Sequence, residues 1–306
     1  MNNITLKQLR YFEALAHHRH FGHAAEASSI SQPALSVQIK ELEETLGAVL
    51  FERAARQVRL TSIGEDFGAR VRKILAAVDE LGDMARSSKD GMVGRLRIGV
   101  IPTIAPYVLP RLIGNLKKSN AEMDIHVRET LTPKLIEELL AGKLDAAVLA
   151  LPVSESSFTE IALFTEKFVL VRPERDANQP VPESEDLQHM RLLLLEEGHC
   201  FRDQALTFCN VPSARPWDGL DGSSLSTLVQ MVGAGIGVTL IPEMAVPVET
   251  RSAQVAISRL KKPEPSRTVG MIWRKTSPLA PQLLQISRIV KASAQGTGDN
   301  STQLAE

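Results

Sequence analysis

Two cysteines, Cys200 and Cys209, stand nine residues apart in a chain of 306 that contains no others. Random placement would bring a pair this close about one time in seventeen, so the spacing is itself a signal. The segment reads Glu197-Gly198-His199-Cys200-Phe201-Arg202-Asp203-Gln204-Ala205-Leu206-Thr207-Phe208-Cys209. A thiol reacts as its thiolate, and positive neighbours favour that form. Cys200 has His199 before it and Arg202 two positions after it. A sulfenic acid formed there can condense with a second thiol, so the segment reads as a thiol–disulfide switch. If the segment is helical, nine residues at a rise of about 1.5 Å separate the cysteines by roughly 13 Å. A disulfide needs Cα atoms about 5.5 Å apart. Closing the bond would then unwind the segment, and that remodelling is the signal. The plain alternative is two inert, buried cysteines.

The rest of the chain must hold this segment and receive its signal. Lys and Arg number 35 against 36 Asp and Glu, a net charge of −1, so any nucleic-acid affinity must rest on local features. No stretch approaches the ~20 apolar residues of a membrane span. Met1-Asn2-Asn3-Ile4-Thr5-Leu6-Lys7 lacks the apolar core of a signal peptide. A cytoplasmic protein without membrane attachment is expected. Thiols there are kept reduced, so a cysteine pair is transient or catalytic rather than a staple. Gly233-Ala234-Gly235-Ile236-Gly237 follows a helical pattern and precedes a strand, the reverse of a dinucleotide loop, and reads as a helix end. No cofactor and no metal are expected.

The first ninety residues read as helices. Thr5 can cap one whose apolar positions are Leu6, Leu9, Phe12, Leu15 and Ala16, and a short Ala-rich helix follows from about His23 to Ser28. A third begins at Ser31 as N-cap, tolerates Pro33 in its first turn, buries Leu35, Ile39, Leu42 and Leu46, and ends at Gly47. Phe51–Leu60 reads as a short hairpin. Ser62 with Glu65 has the capping-box pattern and opens a long helix to about Ser87. Along it Phe67, Val71, Ile74, Val78, Leu81 and Ala85 are spaced 4, 3, 4, 3, 4, a seam suited to pairing with a second copy. Ser87-Ser88-Lys89-Asp90-Gly91 reads as a hinge. Helix, short helix, turn and longer helix is the arrangement of a helix-turn-helix. The face opposite Leu35 carries Gln32, Ala34, Ser36, Gln38 and Lys40, types that contact base edges or phosphate. Arg53, Arg56 and Arg59 place positive charge on the hairpin. Residues 1–60 nonetheless hold seven Lys/Arg against six acids, so an amphipathic bundle with a solvated basic loop fits the pattern as well.

From Arg95 onward apolar runs at Leu96–Ile101, Ile125–Val127, Ala146–Leu151, Phe168–Val171, Leu192–Leu195, Val238–Ile241 and Val269–Trp273 alternate with helical patterns at Leu109–Lys118, Lys134–Ala141 and Leu225–Gly233. Such alternation argues an α/β fold with parallel sheets and helices on their faces. Ser223 and Ser224 open the last of these helices, as caps or as lining for a cleft. The stretch after Ser293 is polar and expected to be disordered.

Leu9-Arg10-Tyr11-Phe12, Phe21-Gly22-His23-Ala24-Ala25, Ser31-Gln32-Pro33-Ala34-Leu35-Ser36, Leu42-Glu43-Glu44, Leu50-Phe51-Glu52-Arg53 and Leu60-Thr61-Ser62-Ile63-Gly64 resemble the winged-helix head of the LysR-type transcriptional regulators. The likeness is dense over about sixty residues. It implies an α/β architecture with an N-terminal winged helix-turn-helix, a long dimerisation helix and a two-lobed, periplasmic-binding-protein-like effector domain. The expected divisions are a DNA-binding head at 1–60, a linker helix and hinge at 61–90, an effector domain at 91–294 and a tail at 295–306. Gln32, Pro33, Ala34, Ser36, Gln38, Lys40, Arg53, Arg56 and Arg59 become the expected DNA contacts, and Phe67, Val71, Ile74, Val78 and Leu81 the dimer seam.

Within that family, the cysteine segment resembles the branch that senses hydrogen peroxide. The resemblance extends to Pro102-Thr103, Pro106-Tyr107-Val108-Leu109-Pro110, Gly142-Lys143-Leu144-Asp145 and Lys262-Pro263-Glu264-Pro265-Ser266-Arg267-Thr268. It implies Cys200 as the peroxidatic thiol and Cys209 as the resolving thiol. Thr103, Thr132, His199 and Arg267 match positions lining or supporting a peroxide pocket, with Arg202 and Asp203 in support. Taken singly, Thr103 and Thr132 could be helix caps before prolines, His199 a cap, and Arg267 a surface charge. Asn210-Val211-Pro212-Ser213-Ala214-Arg215-Pro216-Trp217 departs from the branch's pattern. The implied partners are double-stranded promoter DNA, further copies of the chain as a dimer and a dimer of dimers, RNA polymerase, hydrogen peroxide as signal, and a cytosolic dithiol reductant. Two other readings remain: a regulator gated by a small organic anion in the interlobe cleft, and a thiol peroxidase.

Overall fold

The computed structural model describes residues 4–54, 57–87, 94–209 and 221–295. The chain divides into two units, Met1–Ala85 and Arg86–Glu306. The first holds α1 (Leu6–His18), α2 (Phe21–Ala27), α3 (Gln32–Leu46), the hairpin β1 (Phe51–Ala54) and β2 (Gln57–Leu60), and most of α4 (Ser62–Ser87). Thr5 and Gln8 close a reciprocal capping box on α1. The second helix starts earlier than its alanines suggest, because His20 caps it: the imidazole Nδ1 accepts from the amides of Gly22 (3.1 Å) and His23 (3.4 Å). Ser31 caps α3, and Gly47 ends it at φ +65°, a conformation other residues adopt only with strain. Leu35, Ile39 and Leu42 are buried against Leu9, Phe12 and Leu15.

The start of α4 corrects the capping-box reading by one residue. Thr61, not Ser62, is the cap, its Oγ1 accepting from Gly64 N at 3.0 Å. Tertiary contact selects it, since the Thr61 amide donates to the Leu50 carbonyl at 3.0 Å. A Cβ on Gly64 would lie 2.2 Å from that carbonyl oxygen, so only glycine fits where the wing meets the helix. The seam is also corrected. Phe67 stands edge-on to Phe12 at 5.0 Å and Val71 is buried in the head's own core. Only farther along does this face turn outward, with Val78 half-buried and Ile74 and Leu81 46% and 64% exposed. The Ala85 side chain and the hinge at 88–91 lie outside the described residues.

The second unit contains, in order, β3 (Arg95–Val100), α5 (Ala105–Ser119), β4 (Asp124–Glu129), α6 (Thr132–Leu140), β5 (Ala146–Leu151), β6 (Phe158–Pro173), α7 (Ser184–Leu187), β7 (Leu194–Leu195), α8 (Cys200–Phe208), β8 (Asp221–Gly222), α9 (Leu225–Gly233), β9 (Thr239–Pro242), α10 (Val246–Glu249), β10 (Val255–Arg259), β11 (Ser266–Arg274) and α11 (Ala280–Gln295). Strand order is β10-β6-β11-β5-β3-β4, with β9 also on β6. Among the described residues the expectation of parallel sheets holds for β3 with β4 and β5, for β7 with β8, and for the Leu192–Val238 bridge. β11 runs antiparallel to β5 and β6, and β6 antiparallel to β9 and β10. β6 follows β5, and β11 follows β10, without an intervening helix, so the strand–helix alternation that argues parallel neighbours breaks at these two strands.

Two separate cores result. One gathers Ile98, Val100, Leu112, Leu135, Val148, Met271 and Trp273; the other gathers Leu170, Leu193, Phe201, Leu228, Val229 and Leu240. These are two lobes, and β6 runs through both. α9 ends at Gly233, and Gly235 follows at φ +77°, as the glycine run suggested. Helix α11 carries the chain to Gln295, past the point where disorder was expected; residues 296–306 lie outside the described ones.

Candidate functional site

A crevice in the second unit brings together Thr103, Thr132, His199 and Cys200, with Ile101, Pro102, Leu131, Gly198 and Phe201. These side chains arrive from three separate segments of the chain, around Thr103, Thr132 and the His199–Cys200 pair. Gly198 adopts φ +93°, which turns the chain from β7 into α8 and puts Cys200 in the first helical position behind His199 as N-cap. His199 makes no side-chain hydrogen bond to the first turn of the helix it caps. Thr103 stands ahead of α5, whose N-cap is Ile104, and Thr132 follows Leu131, the N-cap of α6. Neither threonine caps its helix. The Thr132 hydroxyl is buried and has no hydrogen-bond partner among the described residues, a costly arrangement that a small polar guest would relieve. The crevice is closed to a water-sized molecule in this form, so a guest enters only with side-chain movement.

His199 is buried, and burial lowers its pKa, against a weaker opposing pull from Glu196. It is therefore a neutral imidazole at physiological pH. Arg267 does not line the crevice but braces it. Its Nη1 donates to Thr103 Oγ1 at 2.8 Å, its Nη2 to the Thr103 carbonyl at 3.0 Å and its Nε to Glu166 Oε2 at 2.8 Å. The guanidinium also stands 5.3 Å from the ring of Phe201, the neighbour of Cys200. Arg202 and Asp203 take no place in the crevice. Arg202 donates to the Leu195 carbonyl (2.7 Å) and to Asp221 (3.0 Å), and Asp203 is exposed.

The two thiols sit in opposite surroundings. Cys200 is half-buried and packs against the first lobe's core, whereas Cys209 is fully buried in the second lobe's core. Helix α8 runs from one to the other, with Cys209 as its C-cap. Burial pushes the Cys209 thiol up to about 12, so it stays protonated and unreactive while the helix is intact. In the native protein at pH 8 an uncharged alkylating reagent is expected to modify Cys209 more than about 100-fold more slowly than Cys200, a gap that denaturant removes. Stability should also decline above about pH 8.5, where the unfolded thiol ionises and the buried one does not. Equal labelling rates in the native state would contradict this placement. Residues 210–217 lie outside the described ones.

Beside the crevice, a cleft of about 330 Å³ opens between the lobes, lined by Tyr107, Glu129, Glu196, Ser223, Ser224 and Glu249 among others. Ser224 caps α9 through the Thr227 amide (3.2 Å) as well as lining the cleft. The Tyr107 hydroxyl donates to Glu249 at 2.6 Å, and Ser226 donates to the same carboxylate. Sequence reasoning missed this network and missed Glu166. No local signal marks Glu166, which stands in the mixed stretch Phe164-Thr165-Glu166-Lys167-Phe168.

In the head, Gln32, Pro33, Ala34 and Lys40 are exposed along α3, with Ser36 and Gln38 half-buried on its flank. Gln38 donates to Glu41 at 2.7 Å and Lys40 pairs with Glu44 at 3.4 Å, exposed contacts of little energetic worth. Arg59 is exposed on β2; the Arg53 side chain and Arg56 lie outside the described residues.

Residues 6–65 match the family described as bacterial regulatory helix-turn-helix protein, lysR family, and residues 89–295 match the LysR substrate binding domain. The DNA-binding transcriptional dual regulator OxyR of Escherichia coli K12 is 39% identical over 298 residues, covering 97% of this chain and 98% of that one. Full-length OxyR of Pseudomonas aeruginosa, solved as a cysteine-to-aspartate variant, superposes with a TM-score of 0.73 at 36% identity, covering 96% and 95% of the two chains. A Corynebacterium glutamicum OxyR cysteine-to-serine mutant with H2O2 bound gives 0.67 at 32% identity, covering 99% and 97%.

Proposed function

The chain belongs to the LysR family of transcriptional regulators, and from that premise we propose that it is a cytoplasmic, DNA-binding regulator that senses hydrogen peroxide through Cys200 and Cys209. The observation that carries this reading is the crevice: a thiol at a helix N-terminus, faced by an unpartnered buried hydroxyl and a neutral imidazole. The Cys200 thiolate attacks one peroxide oxygen and the O–O bond breaks. Cys200 becomes a sulfenic acid, and the other oxygen leaves as hydroxide, which takes a proton to become water. Hydroxyls of Thr103 and Thr132 supply donors where that oxygen departs. Cys209, once exposed, attacks the sulfenic sulfur; the S–S bond forms, the S–O bond breaks and its oxygen leaves as a second water, so the two electrons lost by the thiols have passed to the peroxide.

The disulfide joins residues that belong to different lobes' cores and are held apart by α8, so the helix must unwind before it can form. Unwinding withdraws Phe201, Ala205, Leu206 and Cys209 from the second core, a two-state change that the effector domain can pass to its heads. The proposed partners are promoter DNA read by α3 and the wing, further copies of the chain joined through Ile74, Val78 and Leu81 as dimer and dimer of dimers, RNA polymerase, and a dithiol reductant that resets the switch. Its thiols act once per signal, which makes the protein a regulator rather than a peroxidase. An organic anion in the interlobe cleft is the poorer fit, because Glu129, Glu196 and Glu249 line it.

The test is a DNase footprint on a promoter fragment selected from genomic DNA for binding the reduced protein. The protected region is expected to shift or change length on peroxide treatment and to revert with dithiol. Identical footprints in both states would defeat the reading.

A further inference from the structure

We infer that Glu166 is a positioning residue for peroxide reduction, acting through Arg267 to turn the Thr103 hydroxyl into a donor aimed at the crevice. The inference rests on the peroxide reading above. Arginine carries donors and no acceptor, so a guanidinium bonded to a hydroxyl oxygen obliges that hydroxyl to accept. Arg267 Nη1 donates to Thr103 Oγ1 at 2.8 Å while its Nη2 takes the Thr103 carbonyl at 3.0 Å, and this fork fixes the threonine from two sides. The single hydroxyl hydrogen must then point elsewhere. Thr103 is 2% exposed, and the crevice shared with Cys200 is where that hydrogen can go. A peroxide oxygen gaining negative charge there finds a donor already oriented, and no group has to turn during the reaction.

Glu166 holds the guanidinium in that pose. Its Oε2 accepts from Arg267 at 2.8 Å and its Oε1 from the Met244 amide at 3.2 Å, so both carboxylate oxygens are anchored. The Arg267 side chain is fully buried and that of Glu166 nearly so, and neither can exchange its partner for water. Because Phe201 lies against the same guanidinium, the pose also depends on α8 being wound.

The test is a double-mutant cycle with two readouts, the rate of Cys200 oxidation by peroxide and the rate of its alkylation by iodoacetamide. Alkylation needs the thiolate but not a donor for a departing oxygen. Thr103→Val is expected to slow peroxide oxidation about 100-fold and to change alkylation less than about threefold. Glu166→Gln should show the same split, with a loss of about tenfold or more, and the double variant should be no slower than Thr103→Val alone. Multiplying effects in the double variant, or parallel losses in both readouts, would overturn the relay. If Glu166→Gln fails to fold, Thr103→Val decides alone, since it leaves the ion pair whole: a wild-type peroxide rate overturns the proposal. Failure of the wild-type protein to react with peroxide would instead remove the functional reading beneath it.

Discussion

Replacing Cys200 by serine is expected to leave the reduced fold intact and to abolish the response to peroxide. The side chain is half-buried at the first position of α8, where a hydroxyl of similar size is accommodated and is solvated in part. Serine has no anion at neutral pH comparable to a thiolate, so the O–O bond finds no nucleophile. The peroxide-treated variant should give the reduced protein's footprint, with no disulfide. Cys209→Ser should behave differently: Cys200 still oxidises and its sulfenic acid persists, trappable with dimedone, because no second thiol condenses with it. That variant should also lose roughly 1–3 kcal/mol of stability, since it puts a hydroxyl where a buried thiol sat among apolar side chains. A Cys200→Ser protein that still changes its footprint with peroxide would remove this thiol from the mechanism.

The largest effect on stability is expected from Arg267→Met. Glu166 would be left buried, with the Met244 amide as its remaining donor and no cation. Breaking a buried pair in this way costs about 3–5 kcal/mol, and at about 2–4 °C per kcal/mol for a domain this size the melting temperature should fall by on the order of 10 °C. Burial already pushes the Glu166 carboxyl up from the ordinary carboxylate range, with Arg267 and the Met244 amide pulling it back. Without the guanidinium, Glu166 takes up a proton on folding. The double variant Arg267→Met/Glu166→Leu should recover most of the loss, since a matched apolar pair needs no desolvation of charge. Calorimetry of the three proteins checks this. A loss under about 1 kcal/mol in the single variant would mean that the pair is open to water.

The head was legible because its signals are local. Ser31, Pro33 and Gly47 bracket α3, and Leu35, Ile39 and Leu42 mark its buried face, all within one helix length. Where the reading slipped, a distant contact had decided. Thr61 displaces Ser62 as cap because the Leu50 carbonyl holds its amide. Phe67 and Val71 share their spacing with Ile74 and Leu81, and only the presence of Phe12 reveals that the first pair serves the head's own core.

In the effector domain the apolar runs marked most of the strands but not their directions. The first half of β6, residues 158–165, breaks its apolar residues with Thr159, Glu160 and Thr165 and does not read as a continuous buried run. The crevice has the same character. Cys200 and Cys209 announce themselves by type and spacing, whereas Thr103, Thr132, His199 and Arg267 follow from family resemblance. Glu166 escaped even that, since its partner lies 101 residues away and nothing in its neighbours names a cation.

The central claim is that peroxide converts Cys200 and Cys209 into a disulfide by unwinding the helix between them. The most direct measurement is mass spectrometry of thiol-trapped, fully reduced protein, quenched seconds after about one equivalent of peroxide. The account predicts a Cys200–Cys209 linked species forming within seconds, absent from Cys200→Ser and reversed by a dithiol. Two free thiols persisting for minutes would contradict it and leave a LysR-family regulator whose signal enters elsewhere.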